Sequence, residues 1–189
     1  MPKQKITKDM IVNTAFAIAR KSGIDAVMVK TIAEALGCSV QPIYSYCSNI
    51  DGLRESVNDK MKQFVGEYIS ARIDPENPFQ STGRAYIQLA KEEPHIFQMF
   101  ILHQRKGITS FNDLYSSETN PRIPEIIAKQ LHISASQAKA LHLNMLIYTI
   151  GIGTIYCVTT PGISAEEIYA QQESAYQAFL QQALDHCCQ

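Results

Sequence analysis

The chain of 189 residues is long enough for one large domain or two small ones with a buried core. A content of 46% hydrophobic and 19% charged residues excludes intrinsic disorder, and a net charge of −1 excludes a uniformly basic nucleic-acid binder. The charge is nevertheless polarised. Residues 1–50 carry six Lys/Arg against three Asp/Glu, a net +3, whereas residues 71–189 carry eight against eleven, a net −3.

No stretch alternates with period two, and apolar residues recur at helical spacing throughout, so the expected fold class is all-α. A first helix is predicted over about Lys8 to Ser22, with Thr7 as N-cap, Asp9 in its first turn and Gly23 as its stop. Its apolar stripe is Ile11, Ala15, Ile18 and Ala19. A short helix bearing Ile32, Ala33 and Leu36 then ends at Gly37, and a second short helix carries Gln41, Tyr44 and Tyr46 on its polar side. A longer helix follows Asn49, an N-cap with Asp51 in the first turn, and reaches about Ala71.

The stretch Asp74-Pro-Glu-Asn-Pro breaks the pattern and sets the expected boundary between an N-terminal domain (1–50, with a connecting helix 50–73) and a second domain, 74–189. Asn77 caps and Pro78 opens a helix to about Glu93, and Pro94 opens another through Phe97, Phe100 and Ile101 to about Gln104. Residues 106–121 read as looser chain, followed by a short helix over about Pro124 to Leu131. Two long helices close the chain, opened by the capping boxes Ser134-Ala-Ser-Gln137 and Ser164-Ala-Glu-Glu167 and separated by a turn with Pro161 and Gly162.

Between Lys139 and Glu166 there is no charged residue. A membrane span needs about 20 apolar residues, and Asn144, Thr149, Thr154 and Pro161 interrupt this run. A helix buried at a subunit interface is expected instead, with no membrane. The five cysteines form no CxxC pair and no apolar signal segment opens the chain, which fits a reduced, cytoplasmic protein. His186, Cys187 and Cys188 read as a polar tail, and His95, His132 and His142 lack i,i+4 pairing, so no metal and no cofactor is expected. No G-x-S-x-G, H-E-x-x-H or P-loop sequence is present, so no enzyme is expected.

The pair of short helices is the informative feature. Ala33 is small where two helices must cross, and Gly37 stands where the chain needs the left-handed conformation. Ile32, Leu36, Cys38 and Ile43 fall on the inner face. Ser39 can cap the second helix, leaving Val40, Gln41 and Pro42 in its first turn. A helix held so is how a helix-turn-helix enters the DNA major groove, where Gln pairs with adenine. Gln41 is the candidate base reader, with Ser39, Val40 and Ser45 beside it. Tyr44, Tyr46, Lys30, Thr31 and the helix start at Asn49 are candidate phosphate contacts, and Lys3, Lys5 and Lys8 form a basic arm.

Residues 6–53 resemble the N-terminal domain of the TetR/AcrR family of transcriptional regulators, through the first helix ending in Gly23, the run Ile32–Gly37, Tyr44 and Leu53. The sequence departs from the family at Met28, where a capping threonine is common, at Cys47, where an aromatic is common, and at Ile50, where a phosphate-contacting lysine is common. The resemblance implies a DNA operator as partner and a C-terminal helical domain that binds a small-molecule effector. It also implies a homodimer through helices at about 135–159 and 165–186, and most often a repressor. Control by a protein partner without a ligand, and activation, are the alternatives. Tyr86, Phe97, Phe100, His103, Phe111, Tyr115, Met145 and Tyr148 are the candidate effector-lining residues, mixing aromatic walls with polar groups.

Overall fold

A computed structural model describes residues 6–46, 50–159 and 162–185. Among the described residues ten α-helices run in the order α1 Lys8–Ser22, α2 Val29–Leu36, α3 Gln41–Tyr46, α4 Ile50–Ser70, α5 Pro78–Glu92, α6 Pro94–Ile101, α7 Phe111–Glu118, α8 Ile123–Leu131, α9 Ala135–Val158 and α10 Ala165–Asp185. A short 3₁₀ turn, Ile24–Ala26, links α1 to α2, and no strand occurs among the described residues. The all-α expectation holds.

Two compact units result. The first takes residues up to Ala71 together with Leu89–His103, and the second takes Arg72–Gln88 with the chain from Gln104 onward. The return of 89–103 to the first unit has a packing cause. Leu89, Ala90, Ile96 and Phe97 at the end of α5 and on α6 are fully or almost fully buried, and α6 lies against α1 and α4.

In the first unit α1 is the centre, touching α2, α3, α4 and α6. Its buried side chains are Ile11, Ala15, Phe16 and Ala19. Helix α4 buries Leu53, Val57, Met61, Val65 and Ile69, a strict four-residue spacing that holds one stripe inward over more than four turns. Two polar ties reinforce the packing. Arg20 donates through both Nε and Nη2 to the Glu93 carboxylate and lies 4.8 Å above the Phe64 ring. The Tyr68 hydroxyl donates to Glu92 Oε2 at 2.6 Å.

In the second unit α9 packs against α8 and α10. Leu141, Met145 and Tyr176 form a buried cluster, with Phe79, Leu131, Ile133, Phe179 and Leu180 around it. The first capping box is complete: Gln137 N–H donates to Ser134 Oγ at 3.2 Å, and Ser134 N–H to Gln137 Oε1 at 2.8 Å. For α10, Glu167 N–H donates to Ser164 Oγ.

Two expectations are corrected. Helix α6 stops at Ile101 rather than about Gln104, with Leu102 N–H closing on the Gln98 carbonyl. Residues 111–118, expected as looser chain, are helical. Ser110 caps them by accepting from Asp113 N–H, and the Asp113 carboxylate accepts from Thr109 N–H and Oγ1. Helix α9 is long and apolar enough, by length and composition, to cross a membrane, and 22% of its most apolar window is buried within the chain.

Candidate nucleic-acid interface

The turn between α2 and α3 is built as its residues require. Gly37 has φ 63° and ψ 32°, a left-handed conformation costly for any residue with a Cβ. Gly37 N–H donates to the Glu34 carbonyl at 3.1 Å and Cys38 N–H to the Ala33 carbonyl at 3.0 Å, so the open end of α2 is closed. Ile32 and Ala33 are buried, Leu36 and Cys38 half-buried, and Ile43 is 1% exposed.

Met28 stands at the α2 N-cap, where its thioether cannot do the work of a hydroxyl. Thr31 makes the reciprocal half of a capping box from inside the helix: its Oγ1 accepts from Met28 N–H at 3.1 Å and lies 2.8 Å from the Ala26 carbonyl, to which it can donate. The hydroxyl read in the sequence as a phosphate contact is therefore engaged in holding the start of α2. Replacing Thr31 with valine keeps the shape and strands the Met28 N–H. It should destabilise the first unit by about 1 kcal/mol in urea denaturation, while Thr31→Ser restores most of the loss.

Helix α3 opens at Gln41, one residue later than expected. Val40, not Ser39, precedes the first turn, and its carbonyl accepts from Ile43 and Tyr44 N–H. Ile43 is the sole buried residue of α3 and fixes its inner face. At 100° per residue, Gln41 and Ser45 stand opposite Ile43, and Tyr44 lies to one side. Exposure agrees: Gln41 and Ser45 are exposed, Tyr44 is 59% exposed, Tyr46 and Val40 each 43%. Ser45 Oγ donates to the Gln41 carbonyl at 3.0 Å, leaving the Gln41 carboxamide facing solvent.

Ser39 is exposed, as is Lys30, whose Nζ lies 3.9 Å from Glu34 Oε1 one turn along α2. An exposed pair of this kind contributes little and yields readily to a stronger anion. Lys8 is exposed at the start of α1. Asn49, Cys47, Lys3 and Lys5 lie outside the described residues, as do Pro161, His186, Cys187 and Cys188.

The eight candidate effector-lining residues are divided between the units. Phe97, Phe100 and His103 belong to the first, where Phe97 is fully buried in the core and His103 is exposed. Tyr86, Phe111, Tyr115, Met145 and Tyr148 belong to the second. Phe111 is 67% exposed there, whereas Tyr115 and Met145 are buried.

Tyr115 sits in an aromatic group with His142 and Phe79. The rings of Tyr115 and Phe79 both meet the His142 ring edge-on, at 5.4 and 5.6 Å. Burial lowers the His142 imidazole to about 4, so the ring is neutral at pH 7, and the Tyr115 hydroxyl can donate to its Nδ1 at 2.8 Å. Burial raises Tyr86, with the Glu118 carboxylate adding to the shift, and Glu118 itself accepts from Arg105 Nε. Among the described residues no three His, Cys, Asp or Glu side chains stand together as a metal site.

No protein-family model matches the chain, and no curated protein matches it in sequence. Solved structures do. A transcriptional regulator from Rhodococcus sp. RHA1 superposes with a TM-score of 0.60 at 12% identity, over 93% of this chain and 97% of that one. A TetR-like transcriptional regulator from Rhodococcus sp. RHA1 gives 0.57 at 13%, over 92% and 97%. A protein assigned to the TetR family from Mesorhizobium loti MAFF303099 gives 0.55 at 17%, over 91% and 94%. The chain has the all-helical fold of TetR-family transcriptional regulators.

Proposed function

We propose that the chain is a homodimeric, DNA-binding transcriptional regulator, a repressor released from its operator when a small-molecule effector binds the second unit. The observation that carries the reading is the presentation of α3. One buried residue, Ile43, and one left-handed glycine, Gly37, hold a short helix whose Gln41, Ser45 and Tyr44 side chains face outward. Those groups suit base edges and phosphates, and they lie in the segment with a net charge of +3.

Dimerisation is supported by α9. Ile147, Gly151, Ile155 and Val158 recur at helical spacing along one face, and all are exposed, at 44%, 47% and 69% for Ile147, Ile155 and Val158. A Cβ at Gly151 would meet nothing within 4 Å in the chain, which suits a helix from a second copy packed closely there. Two copies would let two α3 helices engage successive major-groove faces about 34–36 Å apart. Coupling between effector and operator then requires only that the effector favour a dimer geometry with a different spacing.

The test is binding to the DNA immediately upstream of the chain's own gene, followed by fluorescence anisotropy. Gln41→Ala should cost about 1–3 kcal/mol and relax preference at one base pair. Tyr44→Phe should cost roughly 1 kcal/mol without changing preference, as loss of a phosphate contact does. If neither variant alters affinity or preference, α3 is not the reader.

A further inference from the structure

One polar layer interrupts the apolar interior of the second unit. Gln172 on α10 is 3% exposed, and neither its Nε2 nor its Oε1 has a hydrogen-bond partner. The amide lies against α5 at Gly83, where a Cβ would come within 2.4 Å of Nε2. Thr149 on α9, 7% exposed, joins the same point, its Oγ1 lying 3.8 Å from that Cβ position. Three helices thus bring a carboxamide, a hydroxyl and a missing side chain together.

A buried carboxamide with both ends unpaired is destabilising, because water hydrogen bonds are lost and nothing replaces them. We propose that this layer is a binding site for an uncharged group that presents a hydrogen-bond donor and acceptor side by side, as a lactam, a carboxamide or an imide does. Such a group accepts from Gln172 Nε2 and donates to Oε1, two bonds in one plane. The Thr149 hydroxyl supplies a further contact. The missing Cβ at Gly83 lets the Gln172 amide lie directly against α5 at this point.

The charge balance selects a neutral ligand. The nearest charged neighbours in sequence, Arg84 and Glu173, lie 3.5 Å apart and pair with each other, and both are partly exposed. An ion entering the layer would lose its hydration with no buried counter-charge. One helical turn away, Met145 on α9 and Tyr176 on α10 belong to the buried cluster and Phe79 on α5 packs against it, an apolar wall for the rest of the molecule. The proposal rests on the effector-responsive reading above and supplies the chemical class of the effector.

The test uses the full chain without DNA, so its failure is separable from failure of the DNA-binding reading. Benzamide and 2-piperidone are the probes, and benzoate, anionic at pH 7.5, is the control, read by thermal denaturation and calorimetric titration. Both amides should raise the melting temperature, by roughly 2–4 °C at saturation, and benzoate should not. Gln172→Leu should melt higher than the parent chain without ligand and lose the amide response. Thr149→Val should weaken amide binding about tenfold, and it decides the matter if Gln172→Leu fails to fold. The proposal is overturned if neither amide binds, if benzoate binds as well as benzamide, or if Thr149→Val or Gln172→Leu binds like the parent. It is overturned equally if a folded Gln172→Leu melts lower, since the amide would then be satisfied by trapped water alone.

Discussion

Replacing Ile43 with alanine should cost the first unit about 2–5 kcal/mol and remove sequence-specific DNA binding. The size follows from the local geometry. Helix α3 has six residues, far fewer than the roughly 12–15 at which an isolated helix becomes even marginal in water, and Ile43 is its one buried side chain. Helix α3 lies against α1, the centre of the unit. Removing the anchor leaves a cavity and a helix with nothing to hold it, so Gln41 and Tyr44 lose their common orientation. Ile43→Val, which removes one methylene, should cost about 0.5–1.5 kcal/mol and keep DNA binding. Urea denaturation and anisotropy on the same preparations check both. Full DNA binding by Ile43→Ala would mean that the orientation of α3 is fixed by something other than its core contact.

Acid should weaken the second unit through His142. The ordinary value of 6.5 falls to about 4 in the folded chain because the ring is buried against Phe79 and Tyr115. Between those two pH values the unfolded chain takes up a proton that the folded chain refuses. The stabilisation is therefore complete above pH 6.5, declines as pH falls toward 4, and changes no further below it. A shift of this size corresponds to roughly 3 kcal/mol in full, of which about 2 kcal/mol is lost between pH 7 and pH 4.5. His142→Gln keeps a hydrogen-bonding side chain that does not titrate. Its stability, measured by urea denaturation from pH 7 to pH 4.5, should fall less than that of the parent by about 2 kcal/mol. Parallel curves for the two proteins would remove His142 as the cause.

What could be read from the sequence was local. Thr7 capping α1, Gly37 in the left-handed region and the Ser134–Gln137 capping box are each set by three or four neighbouring residues, and each appears as expected. The Ser110–Asp113 cap of α7 carries the same kind of signal, but the surrounding Ser, Thr and Asn residues obscured it. Thr31 was legible as a polar residue at a helix start. Its engagement with Met28 N–H and the Ala26 carbonyl became readable only in the folded chain. Long-range partners gave no such signal. Arg20 meets Glu93 across 73 residues, and Gln172 meets Gly83 across a comparable span. Phe97 looked like a candidate pocket wall because aromatic residues at helical spacing suit a core and a pocket alike, and its complete burial follows from α6 docking on α1 and α4. At the candidate interface, residue identities were readable from the sequence. Which of them face outward became readable only once Ile43 had fixed the inner side of α3.

Selection of bound duplexes from a randomised DNA pool by the full chain is the decisive measurement for α3 as a sequence reader in a dimer. An inverted repeat whose half-site centres lie about 34–36 Å apart should be enriched, with affinity falling as salt rises. Gln41→Ala should enrich a sequence altered at one position in each half-site. Enrichment of no sequence at all, or of the same sequence by the parent and by Gln41→Ala, would overturn this assignment.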